Sequence, residues 1–141
     1  EKVMTYDEFL EQERNRAPRK KPDDEEHRIQ CACVKWFRVV YPQFKYLLFA
    51  VPNGGRRDKA TGGKLKAEGA LAGVSDLILL LPKGGYSSLC IEMKTPDGDH
   101  RESQQKWQKE VEAVGNKYVL CRSLDDFMRE VKVYLSGAVN G

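Results

Sequence analysis

The stretch 73–94, GVSDLILLLPKGGYSSLCIEMK, limits the possible folds of this chain more than any other segment. It contains two apolar, β-rich runs, at residues 74–81 and 87–94, which are joined by a Pro-Lys-Gly-Gly turn. Two such runs around a glycine-containing turn predict a β-hairpin. We therefore expect the fold to be built around an antiparallel pair of strands at this place.

Two carboxylates are predicted to face each other across this hairpin. Counted from Gly84 at the midpoint of the turn, Asp76 lies eight positions before it and Glu92 eight positions after it. Directly opposed residues of an antiparallel pair have Cβ atoms about 5 Å apart. At that distance, with an effective dielectric of about 20, the repulsion between two carboxylates costs on the order of 3 kcal/mol. Lys94 lies two positions beyond Glu92 and therefore shares its face of the strand.

A divalent cation between the two acids would offset this repulsion. Mg²⁺ is usually held by one or two carboxylates and keeps several waters, and a neighbouring lysine can orient a water or neutralise a phosphate. The alternative is structural, with Asp76 as a charge on an edge strand and with Glu92 and Lys94 at a solvated strand end. Because the aspartate is opposed to the glutamate, we favour the interpretation as a metal site.

The composition is that of one soluble domain. The chain has 141 residues, of which 40% are hydrophobic and 32% charged, and its net charge is +3. No apolar run approaches the ~20 residues of a membrane span, and no signal-peptide pattern precedes the body of the chain. Four cysteines, at positions 31, 33, 90 and 121, include no C-x-x-C pair. We expect buried, reduced thiols in a cytoplasmic protein, no zinc site and no membrane contact.

Helices and strands are predicted to alternate on both sides of the hairpin. A helix between the hairpin and the last strand permits a parallel crossover, so the pattern predicts an α/β fold with a mixed sheet flanked by helices. The predicted elements are a short helix over 5–15, a longer helix from Pro22 to about Tyr41, a strand over 44–51, two helical turns over 65–72, a helix capped by Asp99 and Glu102 that ends at Gly115, a strand over 118–121 and a last helix capped by Ser123 and Asp126.

Two polar residues lie in line with the apolar stripes of predicted helices. Glu26 is one turn before Ile29, and Asp23 with Glu26 also resembles a capping box, which would make this glutamate a helix-start residue only. Gln104 is one turn before Trp107, so its amide either bonds to backbone or points into a polar site. The two stripes are Ile29, Cys33, Trp36, Phe37 and Val40 in one helix, and Trp107, Val111 and Val114 in the other.

Two basic segments are candidates for contact with phosphate. Residues 14–21, RNRAPRKK, form a basic arm that is interrupted by Pro18, and residues 56–66, RRDKATGGKLK, combine five basic side chains with Gly and Thr. Flexible backbone and long cations suit an anionic polymer that is bound without sequence preference. Solvated charged linkers are the alternative for both segments.

Five short motifs occur along the chain in an order that we recognise. They are Glu26-x-x-Ile29-Gln30, Asn53-Gly54-Gly55, Gly69 with Gly73-Val74-Ser75-Asp76, Glu92-Met93-Lys94 and Gln104-x-x-Trp107. Together they resemble the VRR-NUC family, the virus-type replication-repair nuclease branch of the PD-(D/E)xK superfamily. The resemblance covers about residues 24–122. It implies a restriction-endonuclease-like core, with an N-terminal helix and basic arm at 1–22, the nuclease domain at 23–137 and a tail at 138–141.

The resemblance also implies roles for individual residues. Asp76 and Glu92 are implied as metal ligands, with the backbone carbonyl of Met93 as a third ligand. Glu26 is implied as a ligand of the metal or of its water shell. Lys94 is implied to position the attacking water, and Gln104 corresponds to the trailing glutamine of the motif. The chain departs from the family pattern at Ser75, where the superfamily name has proline, and at Arg101, where the family often has serine. Neither departure removes a metal ligand.

The function implied by the resemblance is Mg²⁺-dependent hydrolysis of phosphodiester bonds, with Mn²⁺ as a substitute. Small stand-alone members resemble homodimers that cut branched DNA, especially four-way junctions, and the length of this chain matches them. A bacterial cell or the cytoplasm of a phage-infected host is the expected location. The expected DNA contacts are Asn53, Arg56, Arg57, Lys59, Lys64 and Lys66.

Three other functions are considered. A restriction-like, flap or duplex nuclease of the same fold would need extra elements to read base edges, and few residues remain to build them. A DNA-binding module without chemistry has no reason to keep opposed carboxylates. An HNH-type nuclease does not fit the inventory, because His27 and His100 are the only histidines and neither lies in a ββα-metal pattern.

Overall fold

The structure, a computed structural model, describes residues 3–15, 22–52 and 59–138. Its helices are α1 Tyr6–Asn15, α2 Pro22–Val40, α3 Lys59–Ala67, α4 Glu102–Ala113 and α5 Leu124–Leu135, with a short 3₁₀ turn at Pro42–Phe44. Its strands are β1 Leu48–Ala50, β2 Leu77–Leu79, β3 Leu89–Met93 and β4 Lys117–Cys121.

The four strands form one mixed sheet in the order β1-β2-β3-β4. The pairs β1–β2 and β2–β3 are antiparallel, whereas β4 is parallel to β3 and is reached through α4. A parallel neighbour needs such a crossover connection, because a tight turn can only reverse the chain. The predicted α/β fold with a mixed sheet and flanking helices is confirmed.

The register of the β2–β3 hairpin determines which side chains share a face. Leu77 pairs with Ile91 and Leu79 with Leu89, so one further step in this register brings Asp76 opposite Glu92. The tip of the hairpin is closed by a bridge between Lys83 and Tyr86, with both intervening glycines at positive φ. Between this bridge and the ladder, the first arm holds one residue more than the second, which is the count of a β-bulge.

This extra residue decides the face on which Asp76 lies. If the register of the tip continued without a bulge, Asp76 would oppose Met93 rather than Glu92. Because the side-chain period of a strand is two, a slip of one residue would turn the aspartate to the opposite face of the sheet. The bulge in the first arm therefore brings the two acids together.

The two faces of the sheet differ in chemistry. One face carries a fully buried apolar set that packs against α2 and α5. The other face carries Asp76, Glu92, Lys94 and Tyr118, and α4 lies over it, with Trp107 against the ring of Tyr118. The core residues of the first face are Leu77, Leu79, Leu89, Ile91, Met93, Val119 and Cys121 from the sheet, with Cys33, Trp36, Phe37, Phe127, Val131 and Tyr134 from the helices.

The first and last helices begin as predicted. In α1 the Thr5 hydroxyl accepts the N–H of Glu8, and the Glu8 carboxylate accepts the N–H of Thr5, both at 3.2 Å. In α5 the Ser123 hydroxyl accepts the N–H of Asp126 at 3.1 Å. Such caps pair backbone donors that would otherwise lack a partner at a helix start. The N-terminal helix packs on α2, where the ammonium of Lys35 lies 4.5 Å from the ring centroid of Phe9.

Several predicted elements have different bounds in the structure. The strand predicted over 44–51 is confined to Leu48–Ala50, because a 3₁₀ turn and a further turn use the residues before it. The segment predicted as a basic loop is helical from Lys59 to Ala67, and the chain from 68 to 72 is not helical, contrary to the prediction for 65–72. The two glycines inside the helix Lys59–Ala67 cost about 1 kcal/mol each relative to alanine. They weaken the helix signal in the sequence but do not exclude a helix.

The predicted helix starts and stripes also need correction. The helix α4 begins at Glu102 with Arg101 at the N-cap, so Asp99 does not cap it. None of its residues is fully buried, and Val114 lies beyond its end and is 73% exposed. In α2 the stripe is confirmed at Cys33, Trp36 and Phe37, whereas Val40 is exposed.

The thiols and the termini give the remaining outcomes. Cys33, Cys90 and Cys121 are buried as predicted, but Cys31 is exposed, with its sulfur 3.5 Å from Nε2 of His27. In the described ranges no helix is long and apolar enough to cross a bilayer. Most of the basic arm, residues 16–21, lies outside the described residues, as does the end of the tail from 139.

Candidate active site

Asp76 is held at the start of β2 by backbone groups from both neighbouring strands. Its carbonyl accepts the N–H of Val51 at 2.8 Å, and its Oδ2 accepts the N–H of Met93 at 2.7 Å. The N–H and C=O groups of one strand residue leave the strand on the same side, so the carbonyl of Met93 also faces the side of Asp76. Two carboxylates and one backbone carbonyl therefore approach one another at this end of the hairpin.

Glu92 is the most enclosed acid of the site, with 2% of its surface exposed. Its Oε2 accepts a hydrogen bond from Nε2 of Gln104 at 3.2 Å and lies 3.9 Å from Nζ of Lys94. Its Oε1 lies 3.5 Å from the hydroxyl of Tyr118, which donates to it. Each carboxylate oxygen has two lone pairs, so these contacts orient the group and leave acceptor capacity for a cation.

Burial, which has the largest effect, and the neighbouring Asp76 together raise the pKa of Glu92 from 4.5 to about 9, while Lys94 acts in the opposite direction. The pair Asp76–Glu92 therefore retains a proton at neutral pH when no cation is bound. A metal ion needs the deprotonated carboxylate, so metal binding must release this proton. The repulsion between the two opposed carboxylates that the sequence predicted is therefore present in the fold.

Gln104 connects the start of α4 to Glu92. Its Oε1 accepts the N–H of Arg101 at 2.9 Å, while its Nε2 donates to Glu92. The sequence left open whether this amide bonds to backbone or points into a polar site, and it does both. Arg101 occupies the N-cap position, and its side chain makes no cap hydrogen bond. The bond from the N–H of Arg101 to Gln104 is therefore one of the two hydrogen bonds that a capping box with serine at the N-cap would have.

The first turn of α4 approaches the backbone of Gly73 closely. A Cβ atom at Gly73 would lie 2.3 Å from the carbonyl oxygen of Ser103, and the residue has a φ of +91°. This contact fixes the position of the first turn of α4, from which Gln104, the next residue, donates to Glu92.

Tyr118 is a site residue that the motifs did not reveal. Its ring lies between the imidazole of His100, stacked at 5.7 Å between centroids, and the indole of Trp107, at 6.1 Å. Its hydroxyl lies 3.2 Å from Nε2 of His100 and donates to Glu92. No sequence signal indicated this role, because Tyr118 shares the face of Glu92 only through its pairing with Cys90 in the folded sheet.

Arg122 organises the loop that follows Lys94. One guanidinium nitrogen, Nη1, donates to the carbonyl oxygens of Thr95, Pro96 and Gly98 at 2.9, 3.2 and 2.7 Å. These bonds close the turn between β3 and α4. Because Lys94 and Gln104 flank this turn, Arg122 influences the spacing of both, and nothing in the sequence indicated that role.

Glu26 lies at the near end of a groove that also contains the carboxylate pair. The groove has a volume of about 1210 Å³, and Asp76, Glu92, Lys94 and Gln104 line it together with Glu26. The helix α2 begins at Pro22, which places Asp23 within its first turn. All five residues proposed from the sequence as catalytic thus face one groove.

The described part of the chain contains no group of three or more His, Cys, Asp and Glu residues arranged to hold a metal ion. Asp76 and Glu92 are the two carboxylates that the structure brings together here, next to the carbonyl of Met93. A donor set of two carboxylates and a carbonyl, completed by water, matches the preferences of Mg²⁺ for hard oxygen ligands and retained hydration. The position of Glu26 fits contact with the water shell.

The residues predicted to contact DNA are only partly described. Asn53, Arg56 and Arg57 lie outside the described residues, and Lys59 is the first residue of α3. Lys64 and Lys66 are exposed on α3 and do not line the groove. Basic residues that do line it, and that the sequence did not indicate, are Lys35, Arg38 and Arg101.

Comparison with known proteins identifies the family. The family model of the VRR-NUC domain matches residues 24–125, which include every catalytic candidate. The chain belongs to the VRR-NUC family. A solved structure described as a VRR_NUC domain protein superimposes with a TM-score of 0.70 at 19% identity, over 81% of this chain and 90% of that chain. No curated protein matches the sequence.

Family membership confirms the resemblance inferred from the motifs. The solved relative has the same fold, at a sequence identity too low to carry more than the fold. As a VRR-NUC protein, the chain has a nuclease-type function in DNA processing. The carboxylate pair, the lysine and the glutamine all lie within the matched residues 24–125.

Proposed function

We propose that this VRR-NUC protein is a Mg²⁺-dependent endonuclease that hydrolyses phosphodiester bonds in branched DNA and acts on four-way junctions as a homodimer. The observation that carries the proposal is the enclosed pair Asp76–Glu92, next to Lys94 and Gln104. A VRR-NUC protein without chemistry would gain stability if these acids were replaced, because the fold retains a proton to accommodate them.

The chain's own oxygen atoms fit a hard cation. Asp76 and Glu92 would hold Mg²⁺ with the carbonyl of Met93, and Mn²⁺ suits the same donors. When bound, Mg²⁺ supplies a Lewis acid for the phosphate and lowers the pKa of water in its shell. Glu26, across the groove, would hold that water shell.

The remaining groups orient the reactants. Lys94 is buried except for 6% of its surface, and its ammonium lies beside Oε2 of Glu92. From there it can align the attacking water by hydrogen bonding and stabilise negative charge that develops on the phosphate. Gln104 holds Glu92 in one orientation, so the ligand does not have to reorganise during the reaction.

An exposed apolar strip supports the proposed dimer. Phe49 pairs with Ile78 across β1 and β2, and Leu80 follows two positions later on the same face. Phe49 is 42% exposed and Leu80 58% exposed. A two-fold dimer uses the same patch on both subunits, and it would present two active sites to the symmetric strands of a four-way junction.

The test is cleavage of a panel of labelled substrates by the wild type and by Lys94→Ala. The panel contains linear duplex, hairpin, flap, fork and four-way junction, each with Mg²⁺ and with chelator. We expect the wild type to cut the four-way junction in Mg²⁺ only, and Lys94→Ala to bind it without cutting. If both proteins bind and neither cuts, the protein is a DNA-binding module. Equal cleavage of linear duplex would support the restriction-like alternative.

A separate experiment tests the oligomeric state. Light scattering of the wild type and of Leu80→Lys, with Lys45→Ala as a surface control, measures the mass with and without the apolar strip intact. A wild-type dimer that becomes a monomer in Leu80→Lys supports the strip as the interface. A wild-type monomer that cuts junctions would contradict the homodimer.

A further inference from the structure

We infer that one face of α2 binds the phosphate backbone of the DNA strand that enters the active site, with Lys35 and Arg38 as contacts several nucleotides from the cut. This inference rests on the proposed nuclease function and adds a path for its substrate. Neither residue was among the expected DNA contacts, which lay between positions 53 and 66.

The helix α2 presents one continuous stripe to the groove. Glu26, Gln30, Val34 and Arg38 line it at intervals of four residues. The neighbouring row of the same helix, displaced by one residue, lines it as well and includes Lys35. Residues four apart lie one above another on a helix, so the groove follows the helix for three turns. The opposite side of α2 is buried in the core through Cys33, Trp36 and Phe37.

Charge along this stripe changes sign with distance from the carboxylate pair. Glu26 lies at the end next to Asp76 and Glu92, where a cation is proposed to bind. Lys35 and Arg38 lie about two and a half and three turns further along. Arg38 is exposed, whereas the ammonium of Lys35 lies 4.5 Å from the ring centroid of Phe9, so Arg38 is the principal contact. A scissile phosphate at the cation and flanking phosphates at the basic end would each meet the complementary charge.

The length of the stripe fits several nucleotides of one strand. Twelve residues separate Glu26 from Arg38, and a helix rises 1.5 Å per residue, so the stripe is about 18 Å long. Phosphates of one strand in a duplex are spaced by about 3.4 Å along the helix axis. The basic end of α2 would therefore contact phosphates about four to five nucleotides from the cut.

Apolar side chains also line the groove between the two ends. Val34 of the helix and Val51, Pro52 and Val74 of the neighbouring segments also line the groove. These apolar side chains can pack against deoxyribose, but they offer no donors or acceptors for base edges. We therefore expect these four residues to add no sequence preference.

The experiment is a double-mutant cycle between protein and DNA. One partner is Arg38→Ala, and the other is a substrate in which a neutral methylphosphonate replaces one phosphate at three, four or five nucleotides from the cut, on either side. Arg38→Ala should weaken binding severalfold and reduce the slope of log K against log salt concentration by about 1. At the contacted position the methylphosphonate should weaken the wild type to the same extent and should not weaken Arg38→Ala further.

Lys83→Ala is the matched control, because Lys83 is an exposed basic residue at the hairpin tip, far from the groove. It should leave affinity and salt slope unchanged. If Arg38→Ala and Lys35→Ala both retain the wild-type slope, or if their effects add to those of every methylphosphonate, α2 does not bind the strand. That result leaves cleavage by the wild type intact, whereas failure of the nuclease proposal would abolish cleavage in every variant.

Discussion

The backbone N–H of Met93 donates a 2.7 Å hydrogen bond to Oδ2 of Asp76. This bond ties the aspartate to the strand that carries Glu92 and Lys94. It also means that Asp76 has a structural contact in addition to its proposed role as a metal ligand. The two contributions can be separated by substitution.

Asp76→Asn retains an acceptor for the N–H of Met93, whereas Asp76→Ala leaves this donor without a partner. An unpaired buried donor costs about 1–3 kcal/mol. In the presence of chelator, chemical denaturation should therefore rank Asp76→Ala below Asp76→Asn in free energy of unfolding, although both lose cleavage. Junction affinity should be unchanged or higher in both variants, because a charge that faces DNA is removed. Equal stability of the two variants would argue against the hydrogen bond.

Gly73→Ala should disturb both stability and the site. The positive φ costs an alanine about 1 kcal/mol, and the added Cβ would also meet the carbonyl oxygen of Ser103 at 2.3 Å. Gly69→Ala is a matched control, since Gly69 has a φ of +109° but no neighbour within 4 Å. We expect thermal unfolding to show a larger loss for Gly73→Ala, accompanied by weaker cleavage because Gln104 moves. The same loss in both variants would mean that α4 adjusts freely.

Tyr118→Phe should weaken metal binding with little effect on folding. The phenylalanine ring keeps its place between His100 and Trp107, but the hydroxyl that donates to Glu92 is lost. Loss of a group that orients a metal ligand typically reduces metal affinity or activity by about tenfold or more. Mn²⁺ affinity and cleavage rate should fall together while DNA affinity is unchanged.

The control for this substitution is Tyr134→Phe, which removes another buried hydroxyl, one that donates to the carbonyl of Leu81. Tyr134→Phe should reduce the free energy of unfolding without changing Mn²⁺ affinity. If Tyr118→Phe behaves in the same way, Tyr118 serves the core and not the metal ligand.

The pKa of Glu92 predicts the pH dependence of stability. Its value is about 9 in the folded protein, against 4.5 for an unperturbed glutamate, so the folded state binds an extra proton between these pH values. The stabilisation from this proton is complete below about pH 4.5 and is lost as pH rises through about 9. With chelator present, the melting temperature of the wild type should fall from pH 5.5 to pH 8.5 by more than that of Glu92→Gln.

Addition of Mg²⁺ at pH 8.5 should restore the wild type, because the cation replaces the proton, and should not affect Glu92→Gln. Both proteins contain the same other titrating groups, so their difference isolates Glu92. Parallel pH profiles for the two proteins would show that the carboxylate titrates normally in the fold.

The central part of the fold was predictable because the relevant signals are local. The apolar runs on either side of the turn predict the hairpin, and a count from Gly84 places Asp76 opposite Glu92. That count is correct only because a bulge in the first arm shifts the register by one residue from that of the tip, and no sequence signal indicated the bulge. Capping residues at Thr5 and Ser123 likewise act within four residues of the chain. These predictions needed no knowledge of which elements pack together.

The parts that could not be predicted depend on contacts between distant segments. Tyr118 and Arg122 reach the site only because β4 lies parallel to β3, and a single sequence does not reveal that pairing partner. The basic residues of α2 were missed for a related reason. In the sequence these residues resemble the solvated face of a helix, and only the folded structure shows that they line a groove. The length of β1 was overestimated because apolar residues near Phe44 pack against the core from a turn.

The central claim is that Asp76 and Glu92 jointly bind one divalent cation, and Mn²⁺ binding followed by electron paramagnetic resonance tests it most directly. Wild type, Asp76→Asn and Glu92→Gln are titrated at one pH, with Asp97→Asn as a control that removes an exposed carboxylate from the nearby turn. We predict that Asp76→Asn and Glu92→Gln each weaken binding by at least about tenfold, while Asp97→Asn matches the wild type. Unchanged Mn²⁺ affinity in either of the first two variants would contradict a shared cation.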